Sequence, residues 1–163
     1  MKKVAVIMGS DSDLNTMQGA VDMLKKLEIP FTVRVISAHR TPDAAREFAA
    51  GAAEAGYGAL ICGAGKAAHL AGAFAANTCL PVIGVPIKSS TLDGLDALLA
   101  TVQMPSGMPV ATVAIDGASN AALLAAQMIA LSDPALAGRI AELRREQTEK
   151  VLRRDAEIQA QFA

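Results

Sequence analysis

The sequence predicts an α/β fold, a three-layer doubly wound domain on a five-stranded parallel sheet. Of the 163 residues, 52% are hydrophobic and only 19% charged, and short apolar runs alternate with amphipathic stretches along the chain. Such alternation favours parallel strands joined by right-handed crossovers, most simply in the flavodoxin-like order. A chain of this length is expected to fold around one core, so residues 1–163 are predicted to form a single domain.

Five short apolar or β-branched runs are the predicted strands. Near-continuous apolar composition is typical of parallel strands that are covered by helices on both faces. The runs lie at about residues 3–8, 31–36, 59–62, 81–85 and 109–115.

The stretches between these runs are predicted helices. Residues 13–27 carry apolar side chains at spacings of three and four, which is typical of an amphipathic helix. Thr41-Pro42 predicts a cap and a first helical proline for the second helix, which is expected to end at Gly56 and Gly58. Three more helices are predicted at about residues 66–78, 91–102 and 118–131.

An extra C-terminal helix is predicted over about residues 134–158, the most charged part of the chain. Two interpretations stay open: a solvated helix, or an arm that crosses a neighbouring subunit. The high apolar content of the whole chain also predicts that some helices bury their outer faces against other subunits. We therefore expect a homo-oligomer.

Charge and cysteine content argue against several functional classes. A net charge of −1 and a pI near 6.1 give no long-range attraction for nucleic acid. Cys62 and Cys79 lack metal-ligand or Cys-x-x-Cys spacing and are predicted to be reduced core thiols, which fits a cytoplasmic protein. With only two isolated histidines, no metal site is expected. The apolar run from Val4 to Met8 is too short for a signal peptide or a membrane span.

Polar and glycine residues gather at the predicted carboxyl ends of the strands. Ligands of open parallel sheets bind in the crevice outside these ends, so the loops are predicted to form a pocket. The five loops are residues 8–13, 37–40, 63–69, 88–90 and 116–120.

The loop from Gly9 to Asp13 is typical of an anion cradle at a helix amino terminus, where backbone N–H groups and the helix dipole favour phosphate. Ser10 and Ser12 add hydroxyl donors, and the Asp13 carboxylate can accept hydrogen bonds from sugar hydroxyls. An ordinary N-cap made by Ser12 or Asp13 explains the same residues and stays open. The loop matches neither a Walker A motif nor a dinucleotide fingerprint, which argues against ATP hydrolysis and hydride transfer.

His39 and His69 each follow a predicted strand. His39 precedes Arg40, whose planar guanidinium suits a phosphate, and imidazole exchanges protons near neutral pH. His39 is therefore the candidate general acid/base. His69 lies among alanines and Leu70, which favours a positioning role, and no Gly-x-Ser-x-Gly elbow indicates a Ser-His-Asp triad.

These segments resemble the PurE family of purine biosynthesis, and nearly the whole chain takes part. The form Ser37-Ala38-His39-Arg40-Thr41-Pro42 is similar to class I, the N5-carboxyaminoimidazole ribonucleotide mutases, rather than to class II, the carboxylases that use free carbon dioxide. The resemblance implies a three-layer α/β subunit in an octamer, without metal or organic cofactor. It rests on residues 4–13, 35–42, 63–72, 81–87, 102–110 and 120–127.

By position, the resemblance implies that Ser10, Asp13 and Arg40 bind the phosphate and ribose of the ribonucleotide substrate. It also implies that His39 is the general acid/base and that His69 lies in a mobile loop over the substrate. The other residues expected to contact substrate are Ser12, Ser37, Ala38, Gly65 and Lys66.

In the family's reaction scheme, the substrate carboxylate leaves the exocyclic nitrogen as carbon dioxide, stays trapped, and is attacked by the imidazole carbon. His39 then moves the proton that this carbon loses. Two alternatives stay open: direct carboxylation by free carbon dioxide, and a flavodoxin-like nucleotide-binding module without catalysis.

The third loop departs from the usual family motif Gly-Ala-Gly-Gly-Ala-Ala-His-Leu-Pro-Gly at two positions, with Lys66 for a glycine and Ala71 for the proline. Lys66 has three open interpretations: a backbone better suited to glycine, an ammonium near the substrate carboxylate or trapped carbon dioxide, or a solvated side chain. A positive φ there costs lysine about 1 kcal/mol or more. We hypothesise that the activity class survives while loop closure or rate changes.

Overall fold

The computed structural model describes residues 1–163, in which five strands alternate with α-helices as predicted. The strands are β1 (Lys3–Met8), β2 (Phe31–Val35), β3 (Tyr57–Gly65), β4 (Val82–Ile87) and β5 (Ala111–Thr112). The helices are α1 (Leu14–Lys26), α2 (Pro42–Gly51), α3 (Leu70–Ala75), α4 (Leu95–Val102), α5 (Ala118–Ala130) and α6 (Pro134–Phe162).

The sheet is entirely parallel, with strand order β2-β1-β3-β4-β5. This is the flavodoxin-like order, so the predicted fold class is confirmed. The order places the carboxyl ends of β1 and β3 side by side, where Met8 pairs with Gly63.

The two faces of the sheet support two separate apolar cores. Along β1, Val4, Val6 and Met8 join a core beneath α1, α5 and α6, whereas Ala5 and Ile7 join a core beneath α2 and α3. Each fully buried aliphatic side chain of this size contributes about 1.5–3 kcal/mol relative to an exposed one. Burial on both faces explains why the strand shows no polar alternation.

Several element boundaries differ from the predicted ones. β3 runs on to Gly65 because Gly63 and Gly65 pair with β4 inside the ladder, where a turn was expected. At Gly63 a Cβ would lie 2.3 Å from the Met17 sulfur, so this glycine serves close packing. α2 ends at Gly51, before the expected glycines, and α3 spans only Leu70–Ala75.

The strand β5 has two residues where about seven were predicted. The carbonyls of Gly84 and Pro86 face this edge, since they accept the N–H groups of Val113 and Asp116 at 3.1 and 2.8 Å. Pro86 has no N–H to return on the same side, so regular pairing ends.

The helix α6 begins where predicted and ends four residues beyond the predicted end, at Phe162. The Asp133 carboxylate caps it by accepting the Leu136 N–H at 3.0 Å, and Pro134 occupies its first position. Leu136, Ile140 and Leu143 are its only buried residues, and residues 144–163 are all exposed. None of the helices combines the length and apolar character that crossing a membrane requires.

The two cysteines lie in different environments. Cys62 is buried in β3, and burial raises the pKa of its thiol, which favours an inert core residue. The prediction that Cys79 is also a core thiol is wrong, because Cys79 is exposed. It lies in the connection between α3 and β4, and such connections run over the protein surface.

Candidate active site

A cavity of about 720 Å³ opens at the carboxyl ends of β1 to β4. Four of the five predicted loops line it, and the fifth, residues 116–120, does not. Asp116 of that loop instead accepts the backbone N–H of Lys88 at 2.9 Å and so fixes the fourth loop. Nine predicted site residues line the cavity: Ser10, Ser12, Asp13, Ser37, Ala38, His39, Arg40, Gly65 and Lys66.

The first loop forms a single 3₁₀ turn, Asp11–Asp13, that leads into α1. Ser10 caps this turn: its Oγ accepts the Ser12 N–H at 3.3 Å and lies 2.9 Å from the Ser12 hydroxyl. Asp13 occupies the N-cap position of α1, but its side chain makes no capping bond to the helix, so the side-chain cap of this loop comes from Ser10. Asp13 faces the cavity instead.

Asp13 is the single acidic side chain among the cavity-lining residues. Burial raises the pKa of its carboxyl above the ordinary value of 3.8, and the nearby charge of Asp11 adds to the rise. Hydrogen bonds from the Ser10 backbone and the Ser12 side chain lower the pKa and partly offset this effect. The Asp13 carboxyl is therefore less well solvated than a carboxyl in water. Because it lines the cavity, its oxygens can accept hydrogen bonds from a ligand there.

The second loop holds Arg40 against the first. The Arg40 Nη2 donates to the Gly9 carbonyl at 3.0 Å, and its Nε donates to the Ser37 Oγ at 3.4 Å. Thr41 closes the base of this loop, since its hydroxyl donates to the Ser37 carbonyl at 2.9 Å and accepts the Ser37 N–H at 3.0 Å. A guanidinium has five N–H donors, so three remain for an anion in the cavity.

The two histidines contact each other. The His39 Nε2 lies 2.9 Å from the His69 Nδ1, and the rings meet edge to face at 86°. His39 lines the cavity, whereas His69 is outside the lining. One ring nitrogen must donate and the other accept, so the bond persists only while at least one ring is neutral.

Two tight turns in the third loop place the His69 ring against that of His39. The Ala68 N–H donates to the Lys66 carbonyl at 2.8 Å, and the His69 N–H donates to the Ala67 carbonyl at 2.9 Å. Lys66 starts the turns with φ of +53°, in the left-handed region. A β-carbon there costs about 1 kcal/mol or more, a cost that the family's glycine avoids.

Lys66 lines the cavity, and none of the subunit's ion pairs includes it. Ala71, at the second departure from the family motif, is buried at the start of α3. It packs close to Gly84, whose missing Cβ would lie 3.3 Å from that of Ala71.

Thr16, Lys88 and Ser89 also line the cavity, although sequence reasoning assigned them no role. Thr16 lies three residues after Asp13, the helical spacing that places two side chains on one face, and this signal could have identified it. Lys88 and Ser89 belong to a loop that was predicted to reach the rim. The Lys88 ammonium lies 3.1 Å from the Asp93 carboxylate.

The cavity is therefore positively charged. Arg40, Lys66 and Lys88 supply three cations, and Asp13 supplies one carboxylate. Such a cleft attracts anionic small molecules, and its mixture of hydroxyls, small residues and a histidine suits a phosphorylated ligand that undergoes proton transfer.

The comparisons with known proteins identify the family. The family model described as AIR carboxylase matches residues 3–150. The chain belongs to the AIR carboxylase family. The resemblance to PurE is thereby confirmed, because the solved PurE of Treponema denticola has the same fold: its TM-score is 0.85 at 27% identity, over 94% of this chain and 96% of that one.

Curated relatives in the AIR carboxylase family are closer in sequence. The N5-carboxyaminoimidazole ribonucleotide mutase of Mycobacterium tuberculosis is 54% identical over 96% of this chain and 90% of its own length. The mutase of Brucella melitensis is 56% identical over 93% and 94% of the two chains. The family match includes every residue that lines the cavity and ends within α6, so residues 151–163 lie outside it.

Proposed function

We propose that this protein is a carboxyl-shifting isomerase that converts N5-carboxyaminoimidazole ribonucleotide to 4-carboxyaminoimidazole ribonucleotide in purine biosynthesis. The observation that carries the proposal is one positively charged cavity that joins an anion-binding loop to a histidine pair. Relatives at 54% and 56% identity that carry the mutase name support the same activity.

The phosphate binds at the Arg40 end of the cavity. Arg40 has free donors there, Ser10 and Ser12 line the same cavity, and the amino end of α1 adds its dipole. The Asp13 carboxylate accepts hydrogen bonds from the ribose hydroxyls. These contacts place the aminoimidazole ring toward His39 and the third loop.

The reaction moves one carboxyl group from nitrogen to carbon. The bond between N5 and the carboxyl carbon breaks, and carbon dioxide forms while the electron pair returns to the aminoimidazole. The ring carbon C4 then attacks carbon dioxide and forms a carbon–carbon bond. His39 takes the proton that C4 loses and returns one to the exocyclic nitrogen, so atoms and charge balance over the cycle.

Small residues close the cavity around the carbon dioxide. Ala38, Ala64, Gly65 and Ala67 line the same cavity as His39. Confinement of carbon dioxide at van der Waals distance from C4 makes recombination effectively unimolecular and excludes water. His69 orients the His39 ring through the 2.9 Å contact between them.

Substitution of His39 tests this proposal. His39→Asn is expected to lower kcat by at least a hundredfold while the affinity for aminoimidazole ribonucleotide stays within about threefold, because proton transfer contributes about 10²–10⁴ to such rates. Formation of the 4-carboxy product from the N5-carboxy substrate is measured. If the parent protein binds ribonucleotide without turning it over, it is a binding module. If it uses only aminoimidazole ribonucleotide and free carbon dioxide, it is a carboxylase.

We further propose that the protein acts in the cytoplasm as a homo-oligomer, with eight subunits. The outward face of α4 supports oligomerisation: Leu95 and Leu99 are 50% and 49% exposed, whereas the smaller Ala97 is buried. A phosphorylated substrate that does not cross a bilayer unaided supports an intracellular site of action. Sedimentation equilibrium of the purified protein gives the number of subunits.

A further inference from the structure

Lys66 is a cation in the cavity without a protein partner. Arg40 donates to Gly9 and Ser37, and Lys88 lies 3.1 Å from the Asp93 carboxylate. Lys66 takes part in none of the ion pairs, although it lines the same cavity. Its charge is therefore available to a ligand.

Lys66 and Arg40 lie on loops that follow different strands. Arg40 follows β2 and is bonded to the loop after β1, whereas Lys66 directly follows β3 and its neighbours Ala64 and Gly65 pair with β4. The imidazole of His39 lies between these two groups of loops, because it contacts His69 from the β3 side. Arg40 and Lys66 therefore reach the cavity from different loops, and the third cation of the cavity, Lys88, is paired with Asp93.

The backbone of Lys66 adds a second observation. The residue has φ of +53°, and a non-glycine residue in this conformation is uncommon. Strained backbone of this kind is concentrated at functional sites, and Lys66 is the only one of the chain's five non-glycine residues with positive φ that lines the cavity. The side chain supplied here is a compact ammonium on a flexible four-carbon stem.

The proposed substrate has two anionic groups, a phosphate and a carboxylate. The phosphate occupies the Arg40 end, so the carboxylate lies toward the third loop. We propose that the Lys66 ammonium binds this carboxylate as a positioning and specificity residue, and so favours carboxylated over uncarboxylated aminoimidazole ribonucleotides. Its flexible stem keeps contact while the carboxyl group moves from N5 to C4. This inference rests on the proposed function.

Binding of two ligands that differ only by the carboxylate tests the proposal. Lys66→Met keeps the β-carbon and an unbranched side chain only one atom shorter than that of lysine, but removes the charge. Its dissociation constant for 4-carboxyaminoimidazole ribonucleotide is expected to rise about fivefold to tenfold, the range for a partly solvated charged hydrogen bond. The constant for aminoimidazole ribonucleotide is expected to stay within about twofold. The KM for the N5-carboxy substrate should rise more than kcat falls.

Three further variants separate charge from loop structure. Lys66→Arg keeps the charge and is expected to bind the carboxylated ligand within about threefold of the parent. Lys66→Gly removes both charge and strain and is expected to behave as Lys66→Met. Lys25→Met removes a lysine near the far end of α1, about 17 Å along the helix from its start, and is expected to change neither constant.

The outcomes are distinct. Equal weakening of both ligands by Lys66→Met, parent-like binding by Lys66→Gly, or failure of Lys66→Arg to retain affinity each overturns the proposal. If the parent enzyme converts the N5-carboxy substrate and Lys66→Met keeps its preference for the carboxylated ligand, only this inference fails. If the parent neither binds nor converts ribonucleotides, the proposed function itself fails.

Discussion

At the scale of single residues, Asp13 shows how a carboxyl that lines the cavity reduces the stability of its own fold. The carboxyl is partly buried and has no cationic partner in the subunit, so burial dominates and raises its pKa. The folded state therefore holds the proton more tightly than the unfolded chain. Above the raised pKa, where both states are ionised, the folded state carries a penalty that ribose hydroxyls would offset on binding.

Asp13→Asn is expected to stabilise the unliganded protein and to weaken binding. The penalty is absent below pH 3.8, grows through the window up to the raised folded-state pKa, and is complete above it. The Tm difference between variant and parent should therefore be positive at pH 8 and shrink toward pH 4. The KM should rise about tenfold or more, because a charged hydrogen-bond acceptor is lost. A variant that is less stable at pH 8 than the parent would contradict this explanation.

The sequence predicts a cavity-lining residue correctly where a polar side chain directly follows a predicted strand. Ser10, Asp13, His39 and Arg40 are polar residues at strand ends, and all four line the cavity. His69 does not line the cavity and contacts His39 instead, a contact that depends on the three-dimensional path of two tight turns and cannot be read from sequence spacing. The sequence raised a positive φ at Lys66 as one possibility. Whether the residue adopts it depends on the turn that the whole loop forms.

At the scale of elements, β4 determines how the sheet ends and how closely helices approach it. Pro86 stops the pairing with β5, which no periodicity in residues 109–115 could indicate, because the cause lies on the neighbouring strand. Gly84 lets α4 lie against the strand: a Cβ there would be 2.4 Å from the Thr101 methyl and 3.0 Å from Val110. The local sequence pattern was enough to predict which segments are helices and which are strands. The ends of these elements depend on contacts with neighbouring elements, which the pattern does not show.

Gly84→Ala is expected to destabilise the protein by about 1–3 kcal/mol, because the added methyl overpacks a contact between β4, α4 and α3. Urea denaturation of both proteins measures the change in the free energy of unfolding. Gly138→Ala is the matched control, since nothing lies within 4 Å of its Cβ and the residue is inside α6. It is expected to stabilise by about 0.5–1 kcal/mol. Equal effects at the two glycines would rule out the packing explanation.

At the scale of the whole molecule, large apolar side chains lie on the surface as well as in the core. The helix α4 buries Ala97 and Thr101 but exposes Leu95, Leu99 and Val102, the reverse of what an isolated helix on a sheet would do. The last nineteen residues of α6 contact the rest of the subunit through the ion pair between Lys26 and Glu146. Both surfaces fit a subunit that is completed by further copies.

Two changes separate the contributions of these surfaces to assembly. Leu99→Glu places a charge in the exposed apolar stripe of α4 and is expected to reduce the molar mass in solution, because an unpaired charge opposes burial between subunits. A chain that ends after Arg144 keeps the buried anchors Leu136, Ile140 and Leu143 and removes only the exposed part of α6. If α6 is an arm, this chain also assembles to a lower mass; an unchanged mass identifies the removed segment as a solvated helix. Light scattering after size exclusion gives both masses, with circular dichroism to verify folding. An undiminished mass for Leu99→Glu would exclude the α4 stripe as an interface.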